Sequence, residues 1–243
     1  MEAYPICDLA ALLRGNEYPG RGIVVGTSAD GNCAVAAYFI MGRSANSRNR
    51  VFALRDGALW TEPFDASKVT DPSLILYPAV RSYKNNLIVT NGDQTDTILA
   101  ALKAGGTMEA ALRTRTFEPD APNFTPRISA VLDFADGGFT YKLSILKSAD
   151  ADGSACLRQT FDYPAQVGVG HFLHTYAQNG DPLPPFSGEP EKVRIEGDCE
   201  TFARHVWDAL NEENKISLFV RFTDLKTGAA QDCLINKNGG KRA

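Results

Sequence analysis

The sequence predicts an α+β fold built as a layered sandwich of mostly antiparallel sheets. Three observations predict it. Asp-Gly pairs at Asp30-Gly31, Asp56-Gly57 and Asp136-Gly137 each sit between β-rich runs, the strongest short-range hairpin signal. Runs such as Ile23-Val24-Val25, Leu74-Ile75-Leu76-Tyr77 and Leu87-Ile88-Val89 are apolar at consecutive positions, as in strands covered on both faces. A pair of helical segments in the middle of the chain and another late in it supply the covering layers.

In chain order, Ile6 to Leu13 is a short apolar run, ended by Arg14-Gly15-Asn16, that reads as a helix entering a loop. Residues 20–44 form a hairpin around Asp30-Gly31-Asn32, and Arg50 to Phe64 a second around Asp56-Gly57. The segments 74–83 and 85–92 give two more strands. Asp93 to Ala104 has helical spacing of apolar residues and stops at Gly105-Gly106; Thr107 then caps a second helix to Arg113. Strands follow at 127–134 and 139–146, joined by Ala135-Asp136-Gly137-Gly138, then at Cys156 to Tyr163 and near His171 to Tyr176. After a Pro-rich loop at 179–191, Cys199 to Leu210 is an amphipathic helix with Phe202, Val206 and Leu210 on one face. The segments 216–225 and 231–237 close the chain as a hairpin. Strands continue past the Pro-rich loop and no repeat or low-complexity linker occurs, so one domain over 1–243 is expected.

Composition narrows the function. Hydrophobic residues are 44% and charged residues 22% of 243, ordinary for a globular protein. The net charge of −4 argues against a general nucleic-acid or membrane-surface binder, so any anion site is local. No stretch approaches the ~20 apolar residues of a membrane span, and the N-terminus lacks the basic start of a signal peptide. The 5 cysteines, Cys7, Cys33, Cys156, Cys199 and Cys233, are widely spaced without a CxxC. Reduced thiols in a cytoplasm, mostly filling core, are the expectation, with no disulfide framework or structural zinc.

Five polar clusters could carry chemistry. Gly42 to Arg50 packs 3 arginines, 2 serines and 2 asparagines into 9 residues between two strands. Guanidinium forks with hydroxyl and amide donors suit a phosphate monoester, while a solvated loop pairing with surface acids explains the same composition. The second is Tyr77-Pro78 with Arg81, Tyr83, Lys84 and Asn85. The third, Asn91 to Asp96, lies at a strand-to-helix junction, where an anion site competes with a simple capped helix. The fourth runs from Phe117-Glu118 to Thr125-Pro126-Arg127; Glu118 has the position of a general acid or base, or of a solvated carboxylate. In the fifth, His171 and His174 are three apart, but on a strand they point to opposite faces, so no metal site is expected.

Together these segments resemble the archaeal-type IMP cyclohydrolase family and its bacterial relatives. The resemblance rests on Gly20-Arg21-Gly22 with Val25-Gly26, Arg43-Ser44 with Asn49-Arg50, and Tyr77. It continues through Val89-Thr90-Asn91-Gly92 with Thr95-Asp96, Phe117-Glu118, Thr125-Pro126-Arg127-Ile128, and His174-Thr175-Tyr176 with Pro182-Leu183-Pro184. These pieces keep the family's order over roughly 18–186; the arginine segment is longer than the family's pattern, and Tyr77 is followed by Pro-Ala where Asn-Cys is expected. The resemblance implies a four-layer αββα sandwich like the Ntn-hydrolase fold without its N-terminal nucleophile. It implies closure of 5-formamidoimidazole-4-carboxamide ribonucleotide to inosine monophosphate with loss of water, the last step of purine synthesis. It further implies Arg50, Tyr77 and Glu118 at the reacting centre. Arg21, Arg43, Ser44, Asn49, Asn91, Asp93, Asn123, Thr125, Arg127, Thr175 and Tyr176 become the substrate-binding set. No cofactor or metal is called for, and the expected partner is a purine nucleotide, with no nucleic acid and no membrane; homo-oligomerisation stays open. Two rivals remain: a nucleotide binder without catalysis, and an Ntn-type amidohydrolase cut between Asn32 and Cys33.

Overall fold

The computed structural model describes residues 5–69 and 76–239. The elements are α1 (Leu9–Gly15), β1 (Arg21–Thr27), β2 (Cys33–Met41), α2 (Ala45–Arg48), β3 (Arg50–Arg55), β4 (Ala58–Pro63), β5 (Tyr77–Tyr83) and β6 (Asn86–Thr90). There follow α3 (Gln94–Lys103), α4 (Met108–Leu112), β7 (Arg127–Ala135), β8 (Gly138–Ser148), β9 (Cys156–Pro164), β10 (Val169–His174), β11 (Glu191–Arg194), α5 (Cys199–Ala209), β12 (Lys215–Asp224) and β13 (Ala230–Asn236). One sheet has the order β11-β10-β1-β2-β12-β13 and the other β3-β4-β5-β6-β7-β8-β9. Every pairing between these strands is antiparallel.

The layers follow from alternation along strands. In the first sheet Ile23, Val25, Tyr38 and Leu173 face the second sheet, where Leu87, Val89, Ile128, Ala130 and Leu143 meet them. The intervening residues Val24, Phe39 and Phe172 face outward and are covered by Leu9 and Leu13 of α1 and Phe202 and Val206 of α5. Ile88, Val131 and Leu146 turn to the outer side of the second sheet, under Ile98 of α3 and Met108 and Leu112 of α4. The architecture is therefore αββα, as the resemblance implied, and consecutive apolar runs mark strands with a core on each side.

Local signals explain the elements. Asp56 and Gly57 have φ of 50° and 74°, and Asp136 and Gly137 have 49° and 74°, the paired positive values a tight hairpin turn needs. Thr107 caps α4 by accepting from the Ala110 amide, and Asp198 caps α5 by accepting from Thr201.

Four expectations are refined. The Gly42–Arg50 cluster is not an open loop: Ser44 caps the short α2 through a reciprocal Ser44–Ser47 capping box. The strand expected from Leu74 starts at Tyr77, and residues 74–75 lie outside those described. The Pro-rich loop leads into β11, which pairs with β10; its 4 residues are too few to show a period. The cysteines are less internal than expected, since only Cys199 is buried and the other four are partly exposed. No described helix is long and apolar enough to cross a membrane.

Candidate active site

Antiparallel register gathers strand ends that are far apart in sequence. Arg21, which begins β1, lies opposite Ile40 near the end of β2, and its neighbour Gly22 lies opposite His174, the last residue of β10. Arg50 begins β3, Tyr77 begins β5 and Arg127 begins β7. Gly20, at φ 79°, brings the chain so close to Thr175 and Tyr176 that a Cβ there would collide with both side chains. That approach lets the Arg21 amide donate to Thr175 Oγ1 at 3.1 Å, while Thr175 Oγ1 donates to Pro19 O.

The ends enclose a buried polar cluster. The hydroxyls of Tyr38 and Tyr77 are 3.1 Å apart. Arg50, only 2% exposed, donates from Nε to Ser47 O at 2.8 Å and from Nη2 to Met41 O at 3.4 Å. Glu118 is 6% exposed, its backbone fixed by donation to Thr125 O at 2.9 Å. Thr125 Oγ1 donates to Asp120 and is hydrogen-bonded to the Tyr176 hydroxyl. Tyr176 stacks on Tyr18, whose ring also carries the Arg43 guanidinium at 5.2 Å. Arg21 keeps some exposed surface, yet its Nε is buried with no hydrogen-bond partner among the described residues. An orphaned buried donor of this kind calls for a polar group to complete it.

Electrostatics couples these groups. Burial raises the Glu118 carboxyl above its usual range, opposed by the charges of Arg21 and Arg127. Burial works against the charge on Arg21, but Glu118 together with Tyr176, Tyr18 and Tyr77 outweighs it and holds the guanidinium more firmly cationic than usual. Burial and then the like charge of Arg21 push Arg50 down. Burial, followed by Tyr77, raises the Tyr38 hydroxyl well above its usual value, and burial raises Tyr176 to about 12. The cluster thus combines cationic donors, one carboxyl poised to keep a proton, and a tyrosine pair, the parts needed to stabilise developing negative charge and move protons.

Of the residues singled out in the sequence, Arg21, Arg50, Tyr77, Glu118, Thr125 and Tyr176 come together here. Others hold the surroundings. Asn91 accepts from the Ile128 amide and from Gln94 and donates to Pro126 O, so its side chain knits β6 to β7. Asp93 binds Arg127 at 2.7 Å and also Arg115; against burial, the Arg115 hydrogen bond and the Arg127 charge hold its carboxyl below the ordinary range. Asn49 forms a two-way clamp on the backbone of Asp65. Asn123 accepts from the Leu183 amide. Ser44 is spent on the α2 cap, while exposed Arg43 donates to Asn179 and Gly180 O from Nη1. Arg48 binds Gly42 O and Asn214. Tyr38 and Tyr18 escape the sequence reading, and Asp120 lies inside the fourth polar cluster without a role of its own. Tyr38 sits in an unbroken apolar strand and reads as core, and only Asp120, two residues after Glu118, had a neighbouring signal.

His171 and His174 do face opposite sides of β10. His171 stacks on Tyr163 with ring centroids 3.5 Å apart, and its Nδ1 lies 2.6 Å from the Tyr141 hydroxyl. His174 lies against Phe172 and Phe186, with Nδ1 at Tyr176 O and Nε2 at Glu191. Among the described residues no group of three or more His, Cys, Asp or Glu side chains is placed to hold a metal. Burial, then the charge of Lys192, lowers His171 to about 4 from 6.5. A depressed value means the unfolded chain binds the proton first. The contribution of His171 to stability is therefore complete above pH 6.5 and disappears as pH falls to about 4. Urea unfolding of His171→Gln is expected to lose less stability than the parent between those two pH values.

Cys33 opens β2, five residues and about 17 Å along the strand from Tyr38. Its amide donates to Ser28 Oγ at 2.9 Å, and burial with the charges of Asp30 and Asp224 raises its thiol, the reverse of what a nucleophile needs. Cys33→Ala is expected to leave turnover within a few-fold of the parent; a loss of about a thousand-fold with the fold intact would instead favour thiol chemistry.

Fold and site together define a two-sheet αββα protein with a buried polar cluster of arginines, a carboxyl and tyrosines at its strand ends. A family model described as IMP cyclohydrolase-like protein matches residues 18–228, and the chain belongs to that family. Among curated relatives, the IMP cyclohydrolase of Methanopyrus kandleri is 36% identical over 120 residues, covering 48% of this chain and 59% of the relative. The IMP cyclohydrolase of Methanothrix thermoacetophila is 31% identical over 119 residues, 47% of this chain and 57% of the relative. The chain thus spans under three-fifths of the length of these relatives.

Proposed function

We propose that the protein is an IMP cyclohydrolase that closes 5-formamidoimidazole-4-carboxamide ribonucleotide to inosine monophosphate with loss of water. The observation that carries the reading is the convergence of Arg21, Arg50, Glu118 and the Tyr38–Tyr77 pair in one buried cluster, with Arg21 Nε unpartnered. The carboxamide nitrogen attacks the formyl carbon, forming the new C–N bond. Both groups sit on one ring, so holding them in the reactive geometry accounts for much of the acceleration. Arg21 and Arg50 stabilise the negative charge that builds on the formyl oxygen. Glu118, whose carboxyl binds a proton more readily than usual, takes the carboxamide proton. Tyr77, hydrogen-bonded to Tyr38, supplies a proton to the oxygen. The hydroxyl then takes the proton held on Glu118 and leaves as water, and the former formamide nitrogen gives its proton to the Tyr77 oxygen, which completes the ring and restores both residues. No electron is exchanged, so the reading calls for no redox cofactor, and activity is expected to survive exhaustive chelation.

The same reading makes a purine nucleotide the partner and the cytoplasm the place of action. The test is incubation of the purified protein with 5-formamidoimidazole-4-carboxamide ribonucleotide while following the ultraviolet change to inosine monophosphate. Turnover supports the assignment. No turnover with retained binding of inosine monophosphate supports a nucleotide binder of the same fold.

A further inference from the structure

A second group of reactive side chains lies away from this site, on the α5 side of the first sheet. Cys199 is the first residue of α5, and Cys233 lies on β13, the outermost strand, opposite Val220. Their sulfurs are 3.3 Å apart. A disulfide requires an approach of only about 1.2 Å more. Cys199 Sγ also lies 3.5 Å from Gln231 O, so its position is set from the β13 side as well. A cavity of about 580 Å³ opens on Cys199 and on Cys33, with Asp30, Asp198 and Asp224 in its wall; among the described residues that line it there is no Lys or Arg. The charges of Lys226 and Arg204 reach Asp224 and Asp198 from outside that wall.

We propose that Cys199 and Cys233 form a thiol–disulfide exchange site for a small cationic disulfide, attracted by the acidic wall beside Cys199 and attacked by Cys233 next to that wall. Cys233 is partly exposed and reacts first: its thiolate bonds to one sulfur of the reagent, whose S–S bond breaks and releases one thiol. Cys199 is buried, and burial, then the neighbouring Cys233, raises its thiol; it therefore acts second. Its sulfur attacks Cys233 in the mixed disulfide and releases the second thiol. The two protein thiols lose two electrons and two protons in all, and the reagent disulfide becomes two thiols. The product staples the start of α5 to the edge strand across a separation of 34 residues.

The test uses the full chain, native, with cystamine as the probe, followed by alkylation, peptide mapping and intact mass. The expected result is loss of two thiols, no retained adduct, and a Cys199–Cys233 crosslink. The melting midpoint should rise by roughly 8–15 °C and fall back on adding dithiothreitol. Cys199→Ser should trap the mixed disulfide on Cys233, and Cys233→Ser should abolish both products at this site. Glutathione disulfide, being anionic, should react at least about ten-fold more slowly in low salt, and the gap should narrow in 1 M salt. A stable adduct on Cys233 in the parent, a crosslink through Cys7, Cys33 or Cys156, or an unchanged thiol count would overturn the pair. Equal rates for the two disulfides would overturn the assignment of ligand charge.

Discussion

Glu118→Gln and Tyr77→Phe are each expected to lower kcat by about a hundred-fold or more, the scale of losing a positioned acid–base group, with little change in affinity for inosine monophosphate. Glu118→Gln keeps the shape and a hydrogen-bonding end in the buried cluster but cannot take a proton from the carboxamide. Tyr77→Phe removes one hydroxyl and leaves that of Tyr38 without its partner at 3.1 Å. Steady-state kinetics beside product-binding isotherms make the measurement. Glu118 also carries its own control for misfolding. Its native carboxyl is raised by burial, so the unfolded chain ionises first and the charge weighs against folding once pH passes the ordinary carboxylate value. Glu118→Gln should therefore be more stable than the parent at neutral pH, and the gain should vanish as pH falls through about 4.3. Low activity with raised neutral stability identifies a chemical role. If both variants turn over like the parent, the catalytic assignment is wrong even though the family stands.

Inosine is expected to bind at least about a hundred-fold more weakly than inosine monophosphate, because each charge-assisted contact to a phosphate contributes about 1.5–3 kcal/mol. Arg43 is the arginine best placed for that contact. It is exposed, it uses Nη1 alone in its hydrogen bonds to Asn179 and Gly180, and it lies over Tyr18 beside the buried cluster. Arg43→Ala should raise KM with little effect on kcat, since the phosphate is held alike in the ground and transition states. Calorimetry with nucleotide and nucleoside on the parent and Arg43→Ala checks both. Equal affinity for the two ligands would remove the phosphate grip.

The sequence by itself determined the layers of this protein. Asp56-Gly57 and Asp136-Gly137 specify hairpins because the turn demands positive φ at adjacent positions, a demand met within two residues. Doubly apolar runs such as Ile23-Val24-Val25 place a core on each side of a strand, and the spacing of Phe202 and Val206 shows which face of α5 is buried. The ordered motifs also indicated the family, with Arg50, Tyr77 and Glu118 among its residues. The tertiary structure alone decided how residues of one type divide. Arg50 turns inward because it begins a strand of the second sheet on the side that faces the first, while Arg48, two residues away, is held by the Gly42 carbonyl and the Asn214 side chain. Asn91 and Asp93, polar at a helix start, are occupied by Ile128 and Arg127 of β7, which only sheet pairing brings near. Tyr38 looks like core until β2 lies over β5 and its hydroxyl meets Tyr77, and Cys199 and Cys233 become a pair only when α5 docks on β13. Turns and alternation are set by neighbours within a few residues. Convergence of strand ends and contact between sulfurs depend on register across the sheets, which no local run of residues specifies.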